Sequence, residues 1–258
     1  MYKNLRYCKE GIIGVLTLDR PMAYNAVNED MIDELSIVLD GLNADPEVKA
    51  VVVTGGTKVF AAGGDIKYMA DASSQEMEHF ITKCHATVDK ISNSSKPFIA
   101  AVSGMALGGG CELALACDIR IASINAIFGQ PEINLGIIPG SGGTQRLARL
   151  VGEGWAKYLI FSGKSIDAKK SLEIGLVQEV VEVSDLLDTA KKLATSLAKK
   201  SPIAMGVAKT CINYGRNTDL PSALAFERKA WALLFSTEDQ KEGMNAFLEK
   251  RNPKFSGK

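Results

Sequence analysis

The sequence predicts an α/β fold that closes with an all-helical C-terminal region. Short aliphatic runs recur at 12–18, 50–54, 97–102, 119–122 and 176–183. Several lack the alternation of a half-exposed strand, as strands covered on both faces do. Helical patterns lie between them, which is the signature of alternating strands and helices. After Ser201 and Pro202 the strand signals stop and only helical periodicity remains. The chain therefore divides into a body, 1–200, and a helical region, 201–258. With 258 residues, 46% of them hydrophobic, it can bury a large core without disulfide or metal staples.

The first run, 12–18, reads as a strand. A helix follows from Asn28, an N-cap residue, with Met31, Leu35, Val38, Leu39 and Leu42 on one face. The run 50–54, Ala-Val-Val-Val-Thr, reads as a buried strand, as does 97–102. Residues 111–117, almost wholly apolar, read as a buried helix. The runs 119–122 and 176–183 supply the later strands. In the tail, 237–250 reads as a helix opened by a capping box of Thr237 with Gln240, with Met244, Phe247 and Leu248 on one face. An all-helical tail implies a second layer, packed on the body or on another subunit.

Thirty basic and thirty acidic residues leave no net charge, so no global field favours nucleic acid or a membrane surface. The five cysteines, Cys8, Cys84, Cys111, Cys117 and Cys211, show no paired metal spacing and read as buried free thiols of a reducing compartment. No apolar run reaches the roughly 18 residues of a spanning helix, and the N-terminus shows no leader-like segment, so the cytoplasm is expected. His79 and His85 are six apart in a polar helical stretch, which suits solvated side chains and not a metal pair.

Three glycine-bearing segments stand out, at 60–67, 104–112 and 136–144. Each is expected to follow an extended segment and precede a helix, where unpaired N–H groups face a ligand. Two such sites aimed at one oxygen would form an oxyanion hole; tight turns and close packing are the plainer alternative. The Gly140 segment lacks a phosphate-loop lysine and breaks the dinucleotide spacing at Gln145. No nucleophile elbow surrounds Ser103 or Ser141. Glu112 and Glu132 lie among apolar and turn residues, where a carboxylate must be paired, hydrogen-bonded or functional. They can divide acid and base roles, or be structural carboxylates bonded to backbone or to Arg146.

The strings at 100–113, 128–132 and 136–140 resemble the signature of the crotonase (enoyl-CoA hydratase/isomerase) superfamily. Asp19-Arg20-Pro21 with Asn25-Ala26 is similar to its early coenzyme-A loop, 61–67 to its first oxyanion segment, and 235–243 to its tail. The resemblance implies a spiral of ββα units and a helical region that builds homotrimers, which commonly pair into hexamers. It implies that the N–H groups of Gly64 and Gly109 hold a thioester oxygen and that Glu112 and Glu132 work on one water. Ala62, Asp65, Ile66, Lys67, Gly140 and Lys250 would bind the substrate, an acyl-CoA, with Lys254 adding charge. No cofactor or metal is implied, since coenzyme A belongs to the substrate. The pair of glutamates favours hydration of a short or medium trans-2-enoyl-CoA. A relative acting on branched, cyclic or carnitine-like acyl groups and a non-catalytic RNA-binding relative are the alternatives, and zero net charge opposes the second. Two positions depart from the family pattern: Met22, where many relatives have lysine, and Gly64, where alanine is frequent. Tyr68 and Met69 are placed to shape the acyl pocket.

Overall fold

The computed structural model describes residues 2–258. Its strands are β1 (Leu5–Glu10), β2 (Ile13–Leu18), β3 (Ala50–Thr54), β4 (Val59–Ala61) and β5 (Phe98–Val102), then β6 (Met105–Leu107), β7 (Ile119–Ser123), β8 (Ile127–Gly129), β9 (Ser165–Asp167) and β10 (Glu179–Val181). The body's helices are α1 (Glu29–Ala44), α2 (Ile66–Met69), α3 (Ser74–Ser92), α4 (Gly109–Ala116), α5 (Gly143–Val151), α6 (Glu153–Ser162), α7 (Ala168–Glu173) and α8 (Leu186–Ala198). The tail adds α9 (Pro202–Gly215), α10 (Leu220–Leu234) and α11 (Glu238–Leu248).

Two sheets result, one ordered β1-β2-β3-β5-β7-β10 and one ordered β4-β6-β8-β9. The chain winds as a spiral. Each turn lays a long strand in the first sheet, a three-residue strand in the second, and then a helical element. β3 and β4 lead to α2 and α3, and β5 and β6 lead to α4. β7 and β8 lead to the 3-10 turn Pro131–Leu135 and then α5. Parallel register carries one turn to the next, with Val51 beside Phe98 and Ile99 beside Ile119.

The unbroken apolar runs are explained by cover on both faces. Val51, Val53, Phe98, Ala100 and Val102 enter the main core between the sheets and helices. Their neighbours Val52, Ile99 and Ala101 enter a second core under α8, where Leu186, Ala190 and Ala194 pack. Helix α1 begins as expected: Asn28 accepts from Met31 N at 3.1 Å, and the five apolar positions read from the sequence are buried. Helix α4 is closed by buried Arg120, which donates to the carbonyls of Cys117 at 2.7 Å and Ala114 at 3.3 Å. A cation at a helix C-terminus is favourable there.

Some expectations are corrected. β1 was not anticipated; it is an edge strand antiparallel to β2, and only Leu5 of its side chains is buried. Of the segment 176–183 only 179–181 pairs, because Leu176 and Val177 turn into the main core. The third glycine segment follows the 3-10 turn and not an extended segment. Only half of the tail capping box forms: Thr237 Oγ1 accepts from Gln240 N at 3.1 Å, but the Gln240 amide turns to Met244 Sδ. Cys8 is exposed, while Cys84, Cys111 and Cys117 are buried.

The two spiral turns meet where α4 crosses β4, at a residue with no side chain. A Cβ on Gly110 would stand 2.2 Å from the Ala61 carbonyl oxygen and 2.7 Å from Ala61 Cβ. Gly110→Ala is expected to cost about 3 kcal/mol of stability, because buried backbone must shift. Gly41, in the exposed face of α1, has nothing within 4 Å of its Cβ position. Gly41→Ala should stabilise by about 0.5–1 kcal/mol. Urea unfolding midpoints of the two variants must therefore move in opposite directions.

Candidate active site

The site is assembled from the loops that leave β4 and β6 and from the turn before α5. The loop after β4 is held by the early segment. Asn25, buried and left-handed, donates from Nδ2 to the carbonyls of Val59 at 3.2 Å and Phe60 at 3.0 Å. Arg20 donates to Ala26 O at 3.0 Å and to Asp65 Oδ2 at 2.8 Å. Asp65 also caps α2 by accepting from Lys67 N at 3.2 Å. Arg20 beside Asp65 holds that carboxyl below its usual range. Arg20 and Asp65 are thus committed to shaping the loop.

Residues 63–65 form a parallel bridge with Val27. Val27 N donates to Gly63 O at 2.7 Å, and Asp65 N donates to Val27 O at 2.8 Å. That pattern turns the intervening Gly64 N–H away from the bridge, and it has no protein acceptor among the described residues. Gly109, first residue of α4, likewise donates to no protein acceptor there. The two meet closely: a Cβ on Gly109 would lie 3.8 Å from the Gly64 nitrogen.

Glu112, one turn into α4, is 2% exposed. Its Oε1 accepts from Ser141 N at 2.7 Å and Gly143 N at 2.6 Å, while Oε2 takes no protein donor among the described residues. Burial pushes its pKa up; the two N–H bonds and the charge of Arg146 oppose that push without cancelling it. Arg146 itself bonds Asp89 at 2.7 Å and Ser92 at 3.2 Å, so it reaches Glu112 only through space. Glu132 opens the 3-10 turn after Pro131. Burial, with added repulsion from Glu112, raises its pKa to about 7. Gly108 makes room for it: with φ +50, a Cβ there would stand 2.7 Å from Glu132 Oε1. The amide of fully buried Gln130, oriented to suit its neighbours, donates to both Glu132 oxygens at 3.2 and 3.3 Å.

Of the other residues marked from sequence, Ala62 N donates to Tyr24 O at 3.0 Å, and Ile66 and Lys67 are exposed on α2. Gly140 lies in the turn that holds Glu112, and its carbonyl accepts from His85 Nε2 at 2.7 Å. His85 is exposed, as read, but also anchors this turn. Lys250 sits just beyond α11 in a left-handed conformation, exposed and away from these contacts. Met22 is 95% exposed. Sequence reasoning missed Gln130 and the donors Ser141 N and Gly143 N. The glycines at 140, 142 and 143 were the available signal for those donors. A groove of about 670 Å³ lies elsewhere, between the starts of β3 and β5 and helices α9 and α10.

Two unengaged N–H donors beside a buried and a half-buried carboxylate, both of raised pKa, define a site that can receive a developing oxyanion while protons move nearby. That is the equipment of an acid/base enzyme acting on a carbonyl compound. The model of the enoyl-CoA hydratase/isomerase family matches residues 8–258. The short-chain-enoyl-CoA hydratase of Clostridium acetobutylicum is 50% identical over 94% of this chain and 94% of that protein. The crotonyl-CoA hydratase of Syntrophomonas wolfei is 46% identical over 100% of this chain and 99% of its own. The crystal structure of an enoyl-CoA hydratase from Bacillus anthracis superposes with a TM-score of 0.96 at 38% identity, covering 99% of this chain and 100% of that one. The chain belongs to the enoyl-CoA hydratase/isomerase family and has the crotonase fold.

The raised pKa of Glu132 makes a thermodynamic prediction. Its folded value, about 7, lies above the ordinary 4.5. Below pH 4.5 the group is protonated in both states and costs nothing; between 4.5 and about 7 the unfolded chain ionises first, so the folded state loses ground. Glu132→Gln should therefore raise Tm relative to the parent. The gain should be absent at pH 4, grow through that window and level off above it.

Proposed function

We propose that this chain catalyses the reversible addition of water to a trans-2-enoyl-CoA, giving a 3-hydroxyacyl-CoA. The observation that carries the reading is the pair of unengaged N–H groups at Gly64 and Gly109 beside Glu112 and Glu132. The thioester oxygen accepts from both donors, which draws electron density from the conjugated double bond. Glu112, ionised, takes a proton from a water as that water's oxygen bonds the β-carbon. The double-bond pair shifts toward the carbonyl, and the oxyanion of the resulting enolate sits between the two N–H groups. One such donor is worth on the order of 3 kcal/mol, because its bond strengthens as charge develops. Glu132, half protonated near neutrality, gives its proton to the α-carbon. Hydroxyl and hydrogen have then both been added, and one proton passing from Glu112 to Glu132 restores the start. The reaction balances with water alone, so the reading calls for no redox cofactor or metal.

Exposed Lys67, Lys250 and Lys254 are the groups we assign to attracting the coenzyme-A phosphates of an otherwise neutral protein. The free cysteines fit the reducing cytoplasm. Among the described residues no helix is long and apolar enough to cross a membrane. Glu112→Gln and Glu132→Gln should each lower kcat on a crotonyl thioester by about three orders of magnitude with little change in substrate affinity. Stopped-flow loss of enoyl absorbance and calorimetric binding read the two quantities. A single variant with near-parental kcat removes that glutamate from the mechanism.

We assign the helical region to assembly into a homotrimer or a hexamer of paired trimers. Helices α9 and α10 bury no residue within the single chain. Trp231 is 61% and Leu233 71% exposed on α10, and Phe247 is 83% exposed on α11. An apolar surface of this extent is ordinarily covered by another subunit. Sedimentation velocity at micromolar concentration should give a trimer or hexamer, and a fully active monomer would refute the assignment.

A further inference from the structure

Helix α2 has only four residues, too few to persist unaided, yet it stands directly over the Gly64 loop. It is held at both ends. Asp65 ties its start to Arg20 at 2.8 Å. At its other end Tyr68 donates to Glu29 Oε2 of α1 at 3.0 Å and meets Phe80 of α3 edge-on, with ring centroids 5.2 Å apart. Glu29 is fixed in turn by Lys83 at 2.8 Å, and Lys83 by Asp33 at 2.7 Å. Tyr68 therefore clamps α2 to two helices at once.

The residue after it, Met69, turns the other way. Its thioether fills the space that a side chain at 64 would need: a Cβ on Gly64 would lie 3.1 Å from Met69 Cε and 3.2 Å from Sδ. On the Tyr68 side of α2 is a separate cleft of about 590 Å³, lined by Tyr68, Gln75, Met77 and His79 among others. The short helix thus packs on the Gly64 loop through Met69 and lines this cleft through Tyr68.

We propose that α2 is the end wall of the acyl site, and that Tyr68 is the positioning residue that holds Met69 over Gly64 so that the site takes short enoyl groups. The proposal rests on the reading that Gly64 N–H holds the thioester oxygen. Carbons attached to that carbonyl lie within van der Waals reach of a thioether packed on Gly64. A longer chain must then displace the Met69 thioether, and a helix that is itself held limits where that side chain can go. A flexible thioether alone is a poor barrier; one on a clamped helix discriminates.

The test is the ratio of kcat/KM for an eight-carbon over a four-carbon trans-2-enoyl-CoA, measured on the full chain. Met69→Ala should raise this ratio about tenfold, as removal of a steric block does. Tyr68→Phe keeps the contact with Phe80 and loses only the hydroxyl; it should raise the ratio roughly threefold, the scale of one lost hydrogen bond. Glu29→Gln, which keeps an acceptor but loses the charge, should shift it in the same direction, and serves if Tyr68→Phe folds poorly. In the Met69→Ala background Tyr68→Phe should add nothing, because the block it positions is gone. A ratio unchanged by Met69→Ala, or a Tyr68→Phe effect that multiplies with it, would overturn the proposal. A parent chain inactive on every enoyl-CoA would instead overturn the hydratase reading, and the wall with it.

Discussion

Helix α4 reaches β4 only because residue 110 carries no side chain. The Ala61 carbonyl occupies the place where a Cβ would stand, and this contact brings one turn of the spiral against the next. Everything chemical depends on it. Gly109 lies beside Gly64 because residue 110 sits on Ala61, and Glu112 enters the same space because it is one turn further along α4. Gly108 then leaves room for the Glu132 carboxylate to enter from the opposite turn. The site is a product of close packing between backbones, with side chains added at its margins.

Burial of two carboxylates has a cost, and the fold offsets it unequally. Glu112 is given two backbone donors at 2.7 and 2.6 Å, which oppose the upward push of burial. Glu132 has no such pair of backbone donors, only the longer contacts of the Gln130 amide at 3.2 and 3.3 Å and its own N–H, and its pKa is left near neutrality. The asymmetry gives two carboxylates of one residue type different surroundings, which is how a pair of carboxyls can come to differ in proton affinity. It arises from local backbone, because the turn at 140–143 aims two N–H groups at the carboxylate on α4.

The body was legible where a signal is local and repeated. The runs of β3, β5 and β7 betray strands covered on both faces, and Asn28 announces α1. Glu112 drew attention because a lone charge stands in an apolar helix. What escaped had no local signal. β1 lies at a sheet edge with five of its six residues exposed, so it shows no alternation, and β4, β6, β8 and β9 are three residues each, too short for a period to show. The roles of Arg20 and Tyr68 depend on partners 45 and 39 residues away. The resemblance marks Asp65 as a substrate contact, and the partners of its carboxylate, Arg20 and the N–H of Lys67, had no signal in the sequence.

The donors at Gly64, Gly109, Ser141 and Gly143 are all main-chain amides. Every residue but proline carries a peptide N–H, so drift among the other side chains cannot delete these donors while the loops keep their course. Anion-holding capacity is thereby inherited with the scaffold itself. Variation is free to act on the two glutamates and on the residues around them. Side chains at the margins of this spiral can be exchanged while its main-chain donors stay where the loops place them.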